Sequence, residues 1–194
     1  MRRKSLFLSF AFLITLTSSA TAGPFGQEAG QQKNQINVIK EIAPFKYEIK
    51  PKKTHSAFKL YIAYAHPSTG MCLISGIGLT KINDKYGTET RKVFEDLREQ
   101  LSRVYGASGT YNIIEKDAIW KDDDEWMMSI YKNERTYEAL WDKESHPHLK
   151  DDIEEILLYI SALNDSSGYV TVRYRFSNWD KCKTAIQNSQ ADAL

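Results

Sequence analysis

The sequence predicts an α+β fold, a mainly antiparallel sheet of five or six strands with helices packed on one face. Three observations carry this. Apolar residues alternate with polar ones from Tyr169 to Phe176 and recur at every second position from Ala57 to Ala65, the mark of strands buried on one side. Between Thr88 and Gly106 the apolar residues recur at helical spacing instead. Strand-like and helical segments are also grouped rather than strictly alternating, which argues against a parallel βαβ arrangement.

Taken in order, residues 23–33 are rich in glycine and glutamine and predict a flexible lead-in. Ile36, Val38, Ile39 and Ile42 suggest a short helix ended by Pro44. Phe45, Tyr47 and Ile49 alternate with Lys46, Glu48 and Lys50, a strand closed by Pro51. Ala57–Ala65 is the next strand, with Phe58, Leu60, Ile62 and Tyr64 on one face. The turn residues His66-Pro67-Ser68-Thr69-Gly70 join it to Met71–Ile82, so the two form an antiparallel hairpin. Gly76 and Gly78 interrupt the second strand, where glycine signals a bulge or a close approach of other groups.

The main helix follows, with Thr88 as N-cap, a stripe of Phe94, Leu97, Leu101 and Val104, and Gly106 where a left-handed C-terminal residue is wanted. Tyr111–Trp120 shows no defined period. The acidic run Asp122 to Glu125 suits a helix start, and Glu125–Lys132 reads as a short helix. Arg135–Asp142 is a strand with Tyr137, Ala139 and Trp141 on one side, and Lys143–Lys150 is a polar loop. Ile153–Leu163 fits both the helical and the strand period; strand is preferred because the next segment needs a partner. Asn164–Gly168 is a turn into Tyr169–Phe176, which directs Val170, Val172, Tyr174 and Phe176 one way and Tyr169, Thr171, Arg173 and Arg175 the other. Trp179–Ala193 predicts one helical turn and a frayed tail.

The first residues predict export. Arg2, Arg3 and Lys4 precede an apolar stretch, Leu6–Leu16, broken only by Ser9 and Thr15, and Ala20-Thr21-Ala22 precedes Gly23. Charged, apolar and A-x-A in that order is a cleavable secretory signal over residues 1–22, and the apolar run is well short of the ~20 residues of a membrane span. The remaining 23–194 form a single domain with no second long apolar run and hence no transmembrane segment. The full chain has a formal net charge of +1, and losing Arg2, Arg3 and Lys4 takes it to −2. That lacks the basic excess of a nucleic-acid binder. Cys72 and Cys182 are the only two cysteines, and in an oxidising compartment such a pair predicts a disulfide.

Catalytic and metal signatures are weak. His146 and His148 stand near Glu144, Asp151 and Asp152, but a metal site needs three or four converging ligands, and a solvated loop is the better account. Asp122–Glu125 lacks the alternate spacing and glycine of a calcium loop. There is no G-x-S-x-G, H-E-x-x-H or glycine-rich phosphate loop, and Gly76-Ile77-Gly78 is only a fragment of a dinucleotide motif. Ser75 has no histidine or acid near it in sequence. No catalytic residue, metal or cofactor is therefore assigned. The candidate binding surface comprises the tryptophans Trp120, Trp126, Trp141 and Trp179 with the strand-face residues Tyr169, Arg173 and Arg175. Each tryptophan, taken alone, is more often a core residue.

Pro24-Phe25-Gly26 followed by Gly30 resembles the mature start of small exported bacterial α+β proteins that open with P-F-G-x-x-x-G, similar to beta-lactamase-inhibitor-protein-like or SmpA/OmlA-like modules. The last group carries a lipid-attachment cysteine that is missing here. The resemblance implies a binding or scaffolding role in the cell envelope and transfers no functional residue. The expected function is thus an exported, non-enzymatic binding or envelope accessory protein of inhibitor or immunity type, periplasmic or secreted, acting on a protein or envelope ligand. A small secreted hydrolase with a site assembled from distant residues and a purely structural envelope domain are the alternatives.

Overall fold

The computed structural model describes residues 23–191; residues 1–22, where the sequence suggests a signal, and residues 192–194 lie outside it. The strands are β1 (Val38–Ala43), β2 (Lys46–Ile49), β3 (Phe58–His66), β4 (Gly70–Gly78), β5 (Thr110–Ile114), β6 (Arg135–Asp142), β7 (Ile153–Asn164) and β8 (Ser167–Phe176). The helices are α1 (Thr88–Tyr105), α2 (Trp126–Tyr131) and α3 (Trp179–Ala191). All eight strands form one antiparallel sheet in the order β1-β2-β3-β4-β8-β7-β6-β5. The chain lays down β1 to β4 as one meander. It then crosses beneath the sheet through α1 and returns as a second meander from the far edge, seating β8 against β4.

The α+β class and the antiparallel sheet stand, but the sheet has eight strands rather than five or six. The two extra strands are its edges. Of the residues read as a helix over 36–42, Val38, Ile39 and Ile42 belong to β1, and Ile36 lies just before it. Pro44 turns the chain rather than ending a helix: with Phe45 at φ 62° behind it, it makes the type II pattern that joins β1 to β2. β-branched residues pack well on a pleated strand, and pairing with β2 outweighs their incidental helical spacing. The other edge, β5, lies in the Tyr111–Trp120 segment that showed no period; its five residues are all exposed, so no buried face imposed an alternation. The hairpin of β3 and β4 forms as expected, though β4 ends at Gly78 rather than Ile82. A register shift after Phe58 divides the predicted β3 face: Phe58 packs in the core with Tyr61, Ala63 and Ala65, while Leu60, Ile62 and Tyr64 point to the other side. Over Ile153–Leu163 the strand reading holds, with β7 pairing β6 and β8.

The helices do not share one face. α1 and α2 pack on β6, β7 and β8, where Phe94, Leu97, Trp126, Met127 and Ile130 meet Ile156, Leu158, Val172 and Tyr174. α3 lies on the opposite face, against β3 and β4. It is a 13-residue helix rather than one turn and a frayed tail. Cys182 is its one buried residue, so it offered little apolar stripe to read. Cys182 forms the disulfide with Cys72 of β4, at a Cα separation of 6.2 Å. Asn178 adds hydrogen bonds from Nδ2 to the carbonyls of Thr69 and Met71 at 3.0 and 3.1 Å.

Two further expectations are corrected at α1. The N-cap is Gly87 at φ 67°, not Thr88, and the helix start is satisfied from upstream. The buried Asp84 carboxylate accepts the backbone N–H groups of Glu89 and Thr90 at 3.1 and 2.8 Å, and the Thr90 hydroxyl at 2.7 Å. Phe94, Leu97 and Leu101 form the buried stripe, but Val104 is 58% exposed, on the rim of a shallow hollow between α1 and the N-terminal segment.

That N-terminal segment is no flexible lead-in. Gly23, Pro24, Gly26 and Gln27 are buried, and the Phe25 ring stands edge-on to Phe58, Tyr61 and Tyr174 at centroid distances of 5.6, 4.8 and 5.7 Å. Backbone bonds fasten it: Lys53 N–H to the Phe25 carbonyl, Gly30 N–H to Met71, and Met71 N–H to Gln31. Gly76 accepts this packing because it lacks a side chain; a Cβ there would sit 2.9 Å from both the Phe25 and the Phe58 rings.

Candidate functional site

With α1 and α2 covering one face, α3 is the one helix on the other face among the described residues, at its β3–β4 side. Strand alternation decides what stands there. Register places Lys46 beside Tyr64, Ser75 beside Ile62 and Arg173, Leu73 beside Tyr64 and Arg175, and Tyr159 beside Thr171. Together with Trp179 and Lys183 of α3 these residues line an open groove of about 420 Å³. Its floor is the buried set Ile62, Leu73, Ser75 and Thr171. Aromatic rings and cations rise around it. Tyr64 and Trp179 meet edge to face at 6.2 Å, the Lys46 ammonium lies 5.4 Å from the Tyr64 ring centre, and the Arg173 guanidinium 6.0 Å from that of Tyr159.

One carboxylate bears on the cations. Glu155 of β7, about one-sixth exposed at its side chain, approaches Arg173 at 3.4 Å and Arg175 at 3.3 Å. Both contacts are longer than the 2.7–2.9 Å usual between a guanidinium and a carboxylate. The Nε–H groups of Arg173 and Arg175 are buried without an acceptor among the described residues. Lys46 and Lys183 join no ion pair among those residues. The groove therefore gathers four cations against one loosely engaged anion.

No protein-family model matches the chain, and no curated protein or solved structure matches it either.

The seven residues of the candidate binding surface separate on this geometry. Arg173, Arg175 and Trp179 line the groove. Tyr169 lies on the same sheet face, further along β8, in a neighbouring hollow with Tyr159 and Glu138. Trp126 and Trp141 leave the surface set, because both are buried in the core: Trp126 packs against Tyr137, and Trp141 donates from Nε1 to the Gly106 carbonyl at 2.7 Å. Trp120 is half-buried, away from the groove, in a loop whose backbone N–H is held by Glu134. Lys46, Tyr64, Tyr159, Glu155 and Lys183 are the additions. The alternation of Lys46, Glu48 and Lys50 was a signal for the first; nothing local marked the last, because only one turn of its helix was expected.

His146 is occupied by the chain itself. Its Nε2 lies 3.0 Å from the Ala107 carbonyl and its Nδ1 3.1 Å from the Ser145 hydroxyl. Among the described residues no three of His, Cys, Asp and Glu converge in a metal-binding geometry. Ser75, on the groove floor, has no histidine or carboxylate hydrogen-bonded to it among the described residues.

Proposed function

We propose that this chain is an exported, non-enzymatic binding module that recognises its ligand on the uncovered face of the sheet, in the groove beside α3. The observation that carries the reading is the groove itself: a buried floor, aromatic walls and four cations, three on strands and Lys183 on α3, the helix that sets one side and that a disulfide ties down. Pockets that orient ligands combine apolar lining with a few polar groups on a preformed frame, and this groove has that composition. A nucleophile paired to a general base, the usual core of a hydrolase site, finds no counterpart around Ser75. Export is supported by the signal pattern of residues 1–22 and by the disulfide, which suits an oxidising compartment.

Two measurements test this. Intact mass of the secreted product should correspond to a chain beginning at Gly23; retention of Met1–Ala22 would remove the export reading. A ligand screen by ¹H–¹⁵N NMR on the isotope-labelled mature chain should give shifts clustered at Tyr64, Tyr159, Arg173 and Trp179. Shifts clustered instead along α1 and α2 would place recognition on the covered face and overturn the groove.

A further inference from the structure

We propose, resting on the reading of the groove as the recognition surface, that its ligand is a small organic anion. Its phosphate, sulfate or carboxylate group meets Arg173, Arg175 and Lys183, and its flat apolar body lies against Tyr64, Tyr159 and Trp179. Charge is the first argument. Lys46, Arg173, Arg175 and Lys183 converge in one groove of a chain that, without its first 22 residues, is acidic by two, so the concentration of cations is local and not a reflection of bulk composition. Four like charges around one hollow repel one another unless an anion is shared among them.

Incomplete satisfaction is the second argument. A guanidinium presents five N–H donors in a planar fork that matches oxyanions. Glu155 engages one nitrogen of each arginine, and at long range, while each Nε–H finds no acceptor among the described residues. The carboxylate thus holds the two forks side by side without using them up. About one-third of each arginine side chain is exposed, so an oxyanion entering from the groove meets the guanidinium N–H groups that Glu155 leaves free, and a small movement of either side chain brings its buried Nε–H into reach as well.

Size and walls are the third argument. The volume of about 420 Å³ falls within the range of pockets for small molecules, roughly 300–1,000 Å³. Tyr64, Tyr159 and Trp179 offer ring faces and edges for stacking. The buried floor of Ile62 and Leu73, bounded on one side by α3, suits a compact body better than an extended polypeptide.

The test titrates the mature, oxidised protein with phenyl phosphate, inorganic phosphate, benzyl alcohol and a hexaglutamate peptide. Binding is followed by calorimetry and by the NMR signals of the tryptophan Nε1–H and arginine Nε–H groups. The inference expects phenyl phosphate to shift the Trp179, Arg173 and Arg175 signals and to leave Trp126 and Trp141 unmoved. It expects benzyl alcohol to bind at least about tenfold more weakly, and Arg175→Gln and Lys183→Gln each to weaken phenyl phosphate by about tenfold, the loss of one charged hydrogen bond. Lys183 is exposed on α3, so its variant reports binding even if Arg175→Gln perturbs the fold. Benzyl alcohol binding in the groove as well as phenyl phosphate would overturn the anion and leave the groove standing. Hexaglutamate binding there while phenyl phosphate does not would overturn the small ligand. No probe shifting any groove signal would remove both the inference and the reading beneath it.

Discussion

Leu101 and Val104 are neighbours on the same turn of α1 with different fates. Leu101 is 9% exposed and packs into the core; Val104 is 58% exposed. Leu101→Ala should cost about 2–5 kcal/mol in chemical denaturation. Val104→Ala should stay within about 0.5 kcal/mol, as surface changes do. Equal losses at the two positions would show that the helix is rotated about its axis. Sequence spacing placed both on one stripe, because a periodic pattern gives the angle of a face and not its width. Gly76 is a sharper case. The sequence marked it as a place of close approach, and the structure supplies the groups: the rings of Phe25 and Phe58. Gly76→Ala should destabilise by about 1–3 kcal/mol through overpacking. Introducing Phe25→Ala alongside should recover part of that loss relative to Phe25→Ala alone, which a double-mutant cycle measures.

At the scale of elements, legibility followed burial. Strands β6 and β8 were readable with near-correct bounds because alternate residues face the core, so each residue's chemistry reports its side; β7 fitted the helical period as well and was placed as a strand only by the need of β8 for a partner. The edge strands β1 and β5 were not readable, since an edge with little buried surface leaves no alternation to find. α3 was hidden for the same reason, and it is the element most dependent on a covalent tie. The Cys72–Cys182 bond closes a separation of 110 residues, worth about 4–5 kcal/mol in the chain-entropy account. Reduction, or the paired Cys72→Ser and Cys182→Ser variant, should lower the denaturation midpoint accordingly. Amide exchange should rise first across Trp179–Ala191 and around Gly70–Met71, with β7 still protected. Uniform loss of protection would mean that α3 is not a separable unit. The groove inherits this dependence through Trp179 and Lys183, and of its five missed residues Lys183 is the one that traces to this helix.

At the scale of the molecule, the core between α1 and the sheet sets the behaviour at high pH. Burial holds the Tyr174 phenol above its ordinary range, and burial followed by the nearby Asp151 raises Tyr105 to about 12 from an ordinary 10.0. The folded chain keeps both phenols protonated where the unfolded chain ionises them. Their contribution to stability is therefore intact below about pH 10 and is lost as the pH rises towards 12. Tyrosinate absorbance should show a late fraction that appears together with loss of tertiary signal. Full titration near pH 10 with the fold intact would show that these rings are open to solvent. The fold class was legible because it depends on the grouping of periods over the whole chain. The groove as a whole was not, because it is made by register between distant strands; only Trp179 and the arginine stripe of β8 were singled out, with nothing to show that they meet.

The hairpin of β3 and β4 is grasped by segments that lie before and after it in the sequence. Gly30 and Gln31 bond to Met71 from one side, while Cys182 and Asn178 hold the adjacent residues from the other. The N-terminal segment and the hairpin leave the ribosome before α3 does, so the clasp closes only once α3 has followed the second meander. A product cut short before α3 would keep both meanders and lose the closure, exposing the β3–β4 corner to unfolding and proteolysis. Order of synthesis thus makes α3 the bolt of a latch, and molecules that carry it should outlive those cut before it.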